Sequence, residues 1–497
     1  MSKQVVIIGA GLGGLFTGAL LAKEGFRVTV LEKNAAIGGG LQTFSRFGET
    51  FDTGMHVVGG MGPDGNIMRI CRYLGIADHV KLQPVDDDCT DHLYFAEDGC
   101  HYRIAKGREG FVRSLAAYFP AERDHLHRYV EAIYQLADEV SLFSLRPSAS
   151  SLALHSPAFV MAASDFIAQY IGDRRLRSVI AYMNPLYGGR YDETPVFVHA
   201  IVSVLYINGA SRFVGGSSHF ADLLAGVIRG HGGEVLPGDA VEWVEVADRH
   251  VSFVRTRSGR EYRADHYISA IHPCTLLGLM PSGAFPKAYR DRLNAIPNAY
   301  SAFALYIKFK EHTFPYINHS EYYMTRYDDI WNFGRTDKPW PLGFLFMTPP
   351  ESCSDGYSRK ALVTAPMSFE QVRQWEDTTV GRRGADYEAW KQEQTARLLQ
   401  LLEELHPGIG HCVEQVDASS PLTIRDYYGV KEGSLCGYSK DWKNLALSQV
   451  PVVTKVDNLL LTGQCNNLHG FCGVPLTAIT TCEALLGRNH IVNKLAL

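Results

Sequence analysis

Residues 5–14 read V-V-I-I-G-A-G-L-G-G, an apolar strand pattern that runs into a glycine-rich turn with G-x-G-x-x-G spacing. Gly9 allows the tight turn out of the strand, and Gly11 allows the backbone to approach a pyrophosphate. Gly14 allows the following helix to pack close to the sheet, with its N-terminal amides directed at the anion. The spacing therefore predicts a dinucleotide-binding turn at the start of a βαβ unit.

A second strand pattern, R-V-T-V-L at residues 27–31, ends at Glu32, where a carboxylate can accept hydrogen bonds from ribose hydroxyls. Two other interpretations concern the almost uncharged stretch at residues 5–22. It could be a targeting or membrane-spanning segment, or a glycine turn that binds nothing. Glycines interrupt the stretch and the strand pattern resumes directly after it, so the context favours nucleotide binding.

The composition is that of an ordinary globular protein with two or three domains: 497 residues, 46% hydrophobic and 20% charged. A net charge of −5 provides no electrostatic footprint for nucleic acid, so no nucleic-acid partner is expected. The ten cysteines are scattered, without a C-x-x-C pair or a Cys/His ligand spacing. They indicate reduced thiols in a cytoplasmic protein, and no metal site is predicted.

The order of the patterns along the chain predicts a nucleotide domain that is interrupted by a second domain. A further glycine-rich segment, G-G-G-L-Q-T-F, lies at residues 38–44, and a strand, glycine-rich turn and helix pattern occupies residues 456–486. Helical periodicity prevails between them from about residue 76 to 200. The predicted nucleotide domain comprises residues 1–75, 205–275 and 420–497, and the predicted substrate domain comprises residues 76–204 and 276–419.

With these motifs, the chain resembles the superfamily of FAD-dependent phytoene desaturases, carotenoid isomerases and retinol saturases, and most of all its retinol-saturase-like members. The resemblance implies an α/β fold with a Rossmann-like FAD-binding domain of the glutathione-reductase or amine-oxidase type and an inserted α+β substrate domain. The motifs that carry it are G-A-G-L-G-G at 9–14, E-K at 32–33, G-G-G-L-Q-T-F at 38–44, F-D-T-G-M-H at 51–56, G-G-E-V at 232–235, A-D-H-Y-I-S-A at 264–270, P-L-T-I-R-D-Y at 421–427, L-L-L-T-G-Q at 459–464 and G-V-P-L at 473–476.

The resemblance also implies which residues bind FAD. A helix that starts near Val474 would direct its N-terminus at the flavin, where the helix dipole stabilises negative charge on the reduced ring. Leu41 or Gln42 stands near the position where desaturases commonly have an arginine, so no direct arginine–phosphate pair is expected there. The implied FAD-binding residues are Gly9, Gly11, Leu12, Gly14, Glu32, Lys33, Gly39, Gly40, Leu41, Gln42, Met55, His56, Val241, Gly463, Gln464, Gly473, Val474 and Pro475.

The implied function is that of an FAD-dependent oxidoreductase, a saturase or desaturase, that acts on carbon–carbon single or double bonds of a hydrophobic polyene, isoprenoid or lipid. Three alternatives stay open: a redox-neutral carotenoid-type isomerase that uses reduced FAD, a flavin amine oxidase, and a non-catalytic prenyl or lipid carrier of the GDP-dissociation-inhibitor type. A carrier has no need for both intact FAD segments. No second G-x-G-x-x-G unit is apparent, so the electron donor or acceptor stays open.

Two histidines are candidate catalytic residues because each follows a motif implied to lie near the flavin. His56 ends the motif at residues 51–56, and His469 lies in the loop after residue 464. Either imidazole could transfer a proton to or from the substrate carbon. Either could instead orient FAD or satisfy a buried carbonyl group. Asp52 is expected to bind backbone amides of its own turn.

An aromatic run in the middle of the chain suits either a flat apolar substrate or a membrane surface. A sheet face with aromatic cross-strand pairs is the favoured alternative. No strongly amphipathic basic helix accompanies the run, so we expect a cytoplasmic protein whose contact with the inner face of a membrane is at most peripheral. The run consists of Tyr316, Tyr322, Tyr323, Tyr327, Trp331 and Phe333.

Overall fold

The structure, a computed structural model, describes residues 3–148, 155–350 and 353–495. Within these ranges no helix combines the length and the apolar character that are needed to cross a membrane. The strands are β1 (Gln4–Ile8), β2 (Arg27–Leu31), β3 (Thr43–Arg46), β4 (Glu49–Asp52), β5 (Val58–Gly59), β6 (Leu82–Pro84), β7 (Asp91–Phe95), β8 (Cys100–Ile104), β9 (Ala210–Phe213), β10 (Glu234–Leu236), β11 (Val241–Ala247), β12 (His250–Thr256), β13 (Glu261–Tyr262), β14 (His266–Ser269), β15 (Ser301–Phe309), β16 (Ser320–Met324), β17 (Gly343–Met347), β18 (Cys353–Ser354), β19 (Tyr357–Ser358), β20 (Lys360–Met367), β21 (Val413–Ser419) and β22 (Leu459–Leu461).

The α-helices pack against the sheets and form a separate layer in the first half of the chain. They are α1 (Leu12–Lys23), α2 (Asn66–Leu74), α3 (Arg108–Tyr118), α4 (Arg123–Glu139), α5 (Ala163–Tyr170), α6 (Arg174–Ile180), α7 (Val196–Ile207), α8 (Ser218–Gly230), α9 (Pro273–Gly278), α10 (Lys287–Ala295), α11 (Ala385–Leu405), α12 (Ile409–Cys412), α13 (Pro421–Tyr428), α14 (Leu445–Ser448), α15 (Gly470–Leu486) and α16 (His490–Leu495).

A parallel five-stranded sheet with the order β10-β2-β1-β14-β22 forms the nucleotide half of the molecule. Its strands are short and mostly apolar. Helices α1, α8 and α15 pack on one face, and strands β11 and β12 pack with α9 and α10 on the other. Helix α1 packs against α8 and α15, so the helix that follows the last strand touches the one that follows the first. The hydroxyls of Thr17 and Thr462 lie 3.0 Å apart and join these two ends of the chain.

A seven-stranded mixed sheet with the order β21-β15-β20-β17-β16-β7-β8 forms the other half. Strands β16 and β7 are parallel, and the other neighbouring pairs are antiparallel. Helix α11 covers its outer face, where Leu398 and Leu402 pack into an apolar cluster with Phe303 and Phe346. The opposite, inner face points towards the parallel sheet.

The sequence-based domain division puts the strands of the two sheets in separate segments, and two of its boundaries fall inside helices. The strands of the parallel sheet all lie in the segments predicted for nucleotide binding, and those of the seven-stranded sheet lie in the other segments. The boundary at 204/205, however, falls inside α7 (Val196–Ile207), and the boundary at 275/276 falls inside α9 (Pro273–Gly278). The division into two domains itself stays a prediction.

Candidate active site

A cavity lies between the N-terminal glycine turns and the inner face of the seven-stranded sheet. Its nucleotide end is mostly backbone, whereas its sheet end consists of side chains. The nucleotide end comprises Gly11, Leu12, Gly13, Gly39, Gly40, Leu41, Gly463, Gln464 and Val474, and the sheet end comprises Ala302, Ala304, Tyr322, Met324, Phe344, Leu345, Thr364 and Pro366. Among the described residues that line the cavity, none is aspartate, glutamate, lysine or arginine.

The turn between β1 and α1 packs tightly against the rest of the protein on one side, and its other side faces the cavity. A Cβ atom on Gly14 would lie 2.0 Å from the carbonyl oxygen of Gly9, so only glycine allows this packing. Gly9 has a φ of +100°, and its N–H donates to the carbonyl of Leu31 at 2.8 Å. A Cβ on Gly11, in contrast, would meet no protein atom within 4 Å. The geometry leaves room for a ligand at Gly11, as a pyrophosphate requires.

Glu32 is held beside this turn although its side chain is buried. One carboxylate oxygen accepts the N–H of Ala10 at 2.8 Å, and the other accepts the N–H of Asn34 at 2.9 Å. A carboxylate has about four lone-pair sites, so both oxygens keep capacity for ribose hydroxyls. The ammonium group of Lys33 donates to the carbonyl of Asp426 in α13 at 2.7 Å, which links the end of β2 to a distant helix.

The second glycine segment lies directly beside the first turn. Gly38 forms a parallel bridge with Gly11 and has a φ of +113°, and Gly39 has a φ of +57°. Leu41 lines the cavity, whereas the side-chain amide of Gln42 donates to the carbonyl of Ala36 at 2.7 Å. The side chain of Gln42 is thus part of the turn that shapes the site, and it does not line the cavity.

The glycine-rich C-terminal block forms a third wall, and its helix begins earlier than predicted. Helix α15 starts at Gly470, four residues before Val474. The sequence predicts a later start because the first helical turn, G-F-C-G, resembles a loop. Gly473 is required inside it, since an added Cβ would lie 2.5 Å from the Cβ of Leu468. Gly470 and Val474 line the cavity, and Pro475 is buried within the helix.

Val241 and Asp52 lie outside the cavity lining. Val241 begins β11, pairs with Thr256 and is half-buried at the edge of a small antiparallel sheet. The carboxylate of Asp52 accepts the N–H and the hydroxyl of Ser217, both at 2.7 Å. These bonds join residues that are 165 positions apart and connect the end of β4 to the start of α8, a longer-range role than the one in its own turn that the sequence predicts.

His56 lines the cavity between Met55 and the sheet, and its Nδ1 is buried without a hydrogen-bond partner. Burial, assisted by the positive charge of Arg212, lowers the pKa of His56 to about 4. The imidazole is therefore neutral at pH 7. Arg212 is itself buried and donates from Nη1 to the carbonyls of Ile317 and Thr348, at 3.2 and 2.9 Å.

His469 lies at the start of α15, where Gly470 follows it in the cavity wall. Its Nε2 is buried and has no hydrogen-bond partner, and burial, followed by the charge of Lys440, lowers the pKa of His469 to about 3. Its ring lines a smaller neighbouring cavity with Tyr206 and Gly473. The two candidate histidines thus lie in separate parts of the site, both uncharged at neutral pH.

Tyr322 is a cavity residue that the sequence analysis did not propose for proton transfer. Its hydroxyl is buried without a partner, and burial raises the pKa of Tyr322 well above its ordinary value. Its ring meets Tyr182 edge-on, and Tyr182 in turn donates to the buried carboxylate of Asp91 at 2.9 Å. The alternation along β16 could have indicated it, because Tyr322 and Met324 face the cavity while Glu321 and Tyr323 face away.

The aromatic run expected to form cross-strand pairs divides between the two faces of the sheet. Tyr323 stacks on Phe344 across β16 and β17, with ring centroids 5.0 Å apart, as the favoured interpretation predicts. Tyr322 and Phe333, in contrast, line the cavity. The same short run therefore supplies packing on one face and a ligand surface on the other.

Comparisons with known proteins agree with this architecture. A profile of the family described as flavin containing amine oxidoreductase matches residues 12–470. The all-trans-retinol 13,14-reductase of Rattus norvegicus is 27% identical over 98% of this chain and 86% of its own length. The prolycopene isomerase of Arabidopsis thaliana is 23% identical over 93% of this chain and 78% of its own length.

The fold is also similar to that of solved structures. The crystal structure of an oxidoreductase from Methanosarcina mazei aligns with a TM-score of 0.66 at 19% identity, over 97% of this chain and 100% of that one. The expected superfamily, the fold class and FAD as the cofactor are thereby confirmed. The chain belongs to the family of flavin-containing amine oxidoreductases, and it is an FAD-dependent oxidoreductase.

Proposed function

We propose that this enzyme adds or removes two hydrogens at a carbon–carbon bond of a hydrophobic polyene, isoprenoid or lipid, and that saturation is the direction to test first. The observation that carries the proposal is the cavity lining, which is apolar and aromatic and has no charged side chain among its described residues. A neutral polyene loses little hydration there, whereas an ammonium group would be desolvated without a carboxylate to pair with it. The likeness to a retinol reductase over nearly the whole chain supports the same direction.

The residues present fit FAD along the nucleotide end of the cavity. The open side of Gly11 and the adjacent Gly39 suit the pyrophosphate, and Glu32 suits the adenosine ribose. Gly463, Gln464 and the N-terminus of α15 suit the flavin end. When bound, FAD supplies or accepts the hydride. Among the remaining proposed FAD contacts, those that line the cavity are Leu12, Gly40, Leu41, Met55, His56 and Val474. The others are Gly9, Gly14, Lys33, Gln42, Val241, Gly473 and Pro475, of which Val241 lies apart from the cavity at the edge of the small antiparallel sheet.

The protein's own contribution is to exclude water and to manage one proton. His56 is the preferred proton-transfer group, because its unpartnered Nδ1 is buried in the cavity that would hold the substrate. As a neutral imidazole it can accept a proton during desaturation. For saturation it must first be protonated, and its low pKa limits the protonated fraction at pH 7. His469 is the second candidate, since its Nε2 is also free in the neighbouring cavity.

The first test is a single-turnover reaction. The purified flavoprotein is reduced anaerobically with dithionite, the excess is removed, and all-trans-retinol is added while the flavin absorbance is followed. We expect reoxidation of the flavin and a product that has gained two hydrogens by mass spectrometry. Putrescine, offered to the oxidised enzyme, serves as the matched amine control and should leave the flavin oxidised.

Each other outcome identifies an alternative. A retinoid or carotenoid that changes geometry without a change in mass would favour the redox-neutral isomerase. Flavin reduction by the amine would contradict the polyene proposal and favour amine oxidation.

Contact with the inner face of a membrane in a cytoplasmic setting also stays a prediction. Co-sedimentation of the holoenzyme with vesicles of zwitterionic phospholipid tests it.

A further inference from the structure

Three histidines contact one buried carboxylate on the outer side of the seven-stranded sheet, away from the cavity, and a fourth histidine contacts one of the three. The carboxylate belongs to Glu321 of β16, which is 3% exposed. Its neighbour Tyr322 faces the cavity, so Glu321 faces the opposite side of the same strand. The proposed reaction uses none of these histidines. They are His92, His101, His319 and His406.

Three of the groups present atoms to a common point. Nδ1 of His92 lies 3.0 Å from one Glu321 oxygen, and Nε2 of His319 lies 3.7 Å from the same oxygen. One ligand atom from each of His92, His319 and Glu321 falls within 4.8 Å of the other two. Two imidazoles and one carboxylate at this spacing match the protein ligands of a three-ligand zinc site, whose remaining position is open to water.

Two of these three groups, His92 and Glu321, have a further hydrogen-bond partner, and a carboxylate lies near the outer nitrogen of the third. Nε2 of His92 lies 3.0 Å from Nδ1 of His101, and Nδ1 of His319 points at a carboxylate oxygen of Asp86 at 4.0 Å. The second oxygen of Glu321 lies 2.5 Å from Nε2 of His406. Metal-binding histidines commonly have such a partner on the other ring nitrogen, which fixes the ring and the tautomer.

The charges around Glu321 also suit a divalent cation. Within the described ranges, the ion-pair partners of Glu321 are all imidazoles, and no lysine or arginine nitrogen lies within 4.0 Å of its carboxylate. Imidazoles are positively charged only when protonated. A buried carboxylate without a permanent cation is costly, and a divalent metal ion would neutralise it.

We propose that His92, His319 and Glu321 bind a divalent transition-metal ion of the Zn²⁺ class. The site joins the neighbouring strands β7 and β16 and the segment that precedes β16, on the face opposite the cavity. It is independent of the proposed polyene reaction and is expected to stabilise the sheet that forms the cavity wall.

Calorimetric titration of ZnCl₂ into the FAD-loaded enzyme tests the site, with protein that carries no polyhistidine tag and was treated with EDTA. We expect one zinc ion per chain and a higher Tm in its presence. His319→Ala and Glu321→Gln should each weaken binding at least about tenfold, since even an outer-sphere partner contributes that much. His250→Ala, an exposed histidine on β12, is the matched control and should bind zinc as the unsubstituted chain does.

The titration can overturn the proposal in two ways. Either the unsubstituted enzyme takes up no zinc, or His319→Ala and Glu321→Gln bind it as well as the control. Flavin absorbance and Tm in EDTA establish whether each variant folds. If neither variant folds, anomalous diffraction at the zinc absorption edge, measured from crystals of the unsubstituted enzyme, tests whether zinc occupies the site. A peak among the three side chains supports the site, and zinc-soaked crystals without that peak contradict it.

Discussion

The two ends of the cavity are built from different chemistry. At the nucleotide end, Gly11 and Gly39 present backbone atoms, and the absence of a side chain creates the space. At the sheet end, Tyr322, Met324 and Leu345 present side chains, and their shape determines what fits. The first end therefore depends on glycine at fixed positions, whereas the second tolerates any residue of suitable size and polarity.

The difference follows from the partner at each end. A pyrophosphate is recognised by backbone N–H groups and a helix N-terminus, which only a particular backbone path can supply. An apolar chain is recognised by area and shape, which many combinations of side chains can supply. We therefore expect substitutions at the nucleotide end to act on folding and cofactor loading, and those at the sheet end to act on turnover.

Gly14→Ala should have the largest effect. The new Cβ would lie 2.0 Å from the Gly9 carbonyl oxygen, which forces the helix away from the turn. We expect a loss of about 3 kcal/mol or more in the free energy of unfolding, measured by urea denaturation, and little bound flavin. Gly226→Ala in α8 is the control, because its Cβ would meet no atom within 4 Å. Equal stability of the two variants would contradict the tight-turn argument.

Gly11→Ala separates cofactor binding from folding at the same turn. Its Cβ would touch no protein atom within 4 Å, so stability without FAD should be unchanged. The methyl group would occupy the proposed approach of the pyrophosphate, and we expect at least about a tenfold loss of FAD affinity, equivalent to about 1.4 kcal/mol. Flavin fluorescence quenching measures the affinity, and an unchanged value would remove Gly11 from the cofactor site.

Acid should destabilise the helical layer through a buried histidine of α7. His199 is fully buried between the hydroxyls of Tyr129 and Tyr187, at 2.6 and 3.0 Å, and burial lowers its pKa to about 4. The unfolded chain takes up this proton near pH 6.5, the folded chain only near pH 4. The stabilisation of the folded state by neutral His199 is thus complete above pH 6.5 and is lost as the pH falls from 6.5 to 4. The free energy of unfolding falls by up to about 3 kcal/mol over this range.

His199→Gln tests the acid effect, because glutamine keeps hydrogen-bonding groups and does not titrate. Its free energy of unfolding, measured by urea denaturation at pH 7 and pH 4.5, should fall less than that of the unsubstituted chain. An identical fall in both proteins would mean that His199 does not carry the effect.

His56→Asn tests whether His56, which lines the cavity between its nucleotide end and its sheet end, transfers the proton during turnover. We expect kcat to fall about 100-fold, the usual contribution of a proton-transfer group, with flavin content preserved. In the unsubstituted enzyme, saturation should accelerate as the pH falls towards 4, because the imidazolium form donates the proton, and desaturation should slow over the same range. Met55→Leu, on the adjacent cavity residue, is the control. A wild-type pH profile in His56→Asn would assign the proton to another group.

The smallest effect is expected from a single hydroxyl on β16. Tyr322→Phe removes the unpartnered cavity hydroxyl, and kcat should fall about tenfold if that hydroxyl binds the reacting substrate. Tyr323→Phe removes the neighbouring hydroxyl, which donates to Glu404 at 2.6 Å on the outer face. The second variant should keep its kcat. Similar kcat values in both variants would contradict a role of the Tyr322 hydroxyl in binding the substrate.

The sequence predicts the nucleotide end well because its requirements are local. Gly9, Gly11 and Gly14 stand at fixed spacing in one turn, and Glu32 follows at the end of the next strand. The start of α15 was misplaced by four residues because its first turn contains two glycines, which are rare in helices.

The sheet end and the histidine group could not be predicted in the same way. Tyr322 and His56 line the same cavity only because a strand near residue 320 folds over a turn near residue 56, and no local spacing in the sequence records that proximity. The ligand atoms of His92, His319 and Glu321 come from two parts of the chain more than 200 residues apart. A search for closely spaced metal ligands cannot find such a set.

The order of strands in the parallel sheet has a consequence for biosynthesis. Strands β1 and β2 leave the ribosome early, but their neighbour β14 and the closing strand β22 follow much later. At the usual elongation rate of about 5–20 residues per second, roughly 20 to 90 s separate β2 from β22. During that interval the face of α1 that packs on α15 lacks its partner. The proposed flavin end of the cofactor site, which includes Gly463, Gln464 and the N-terminus of α15, is complete only after the C-terminal block has been translated.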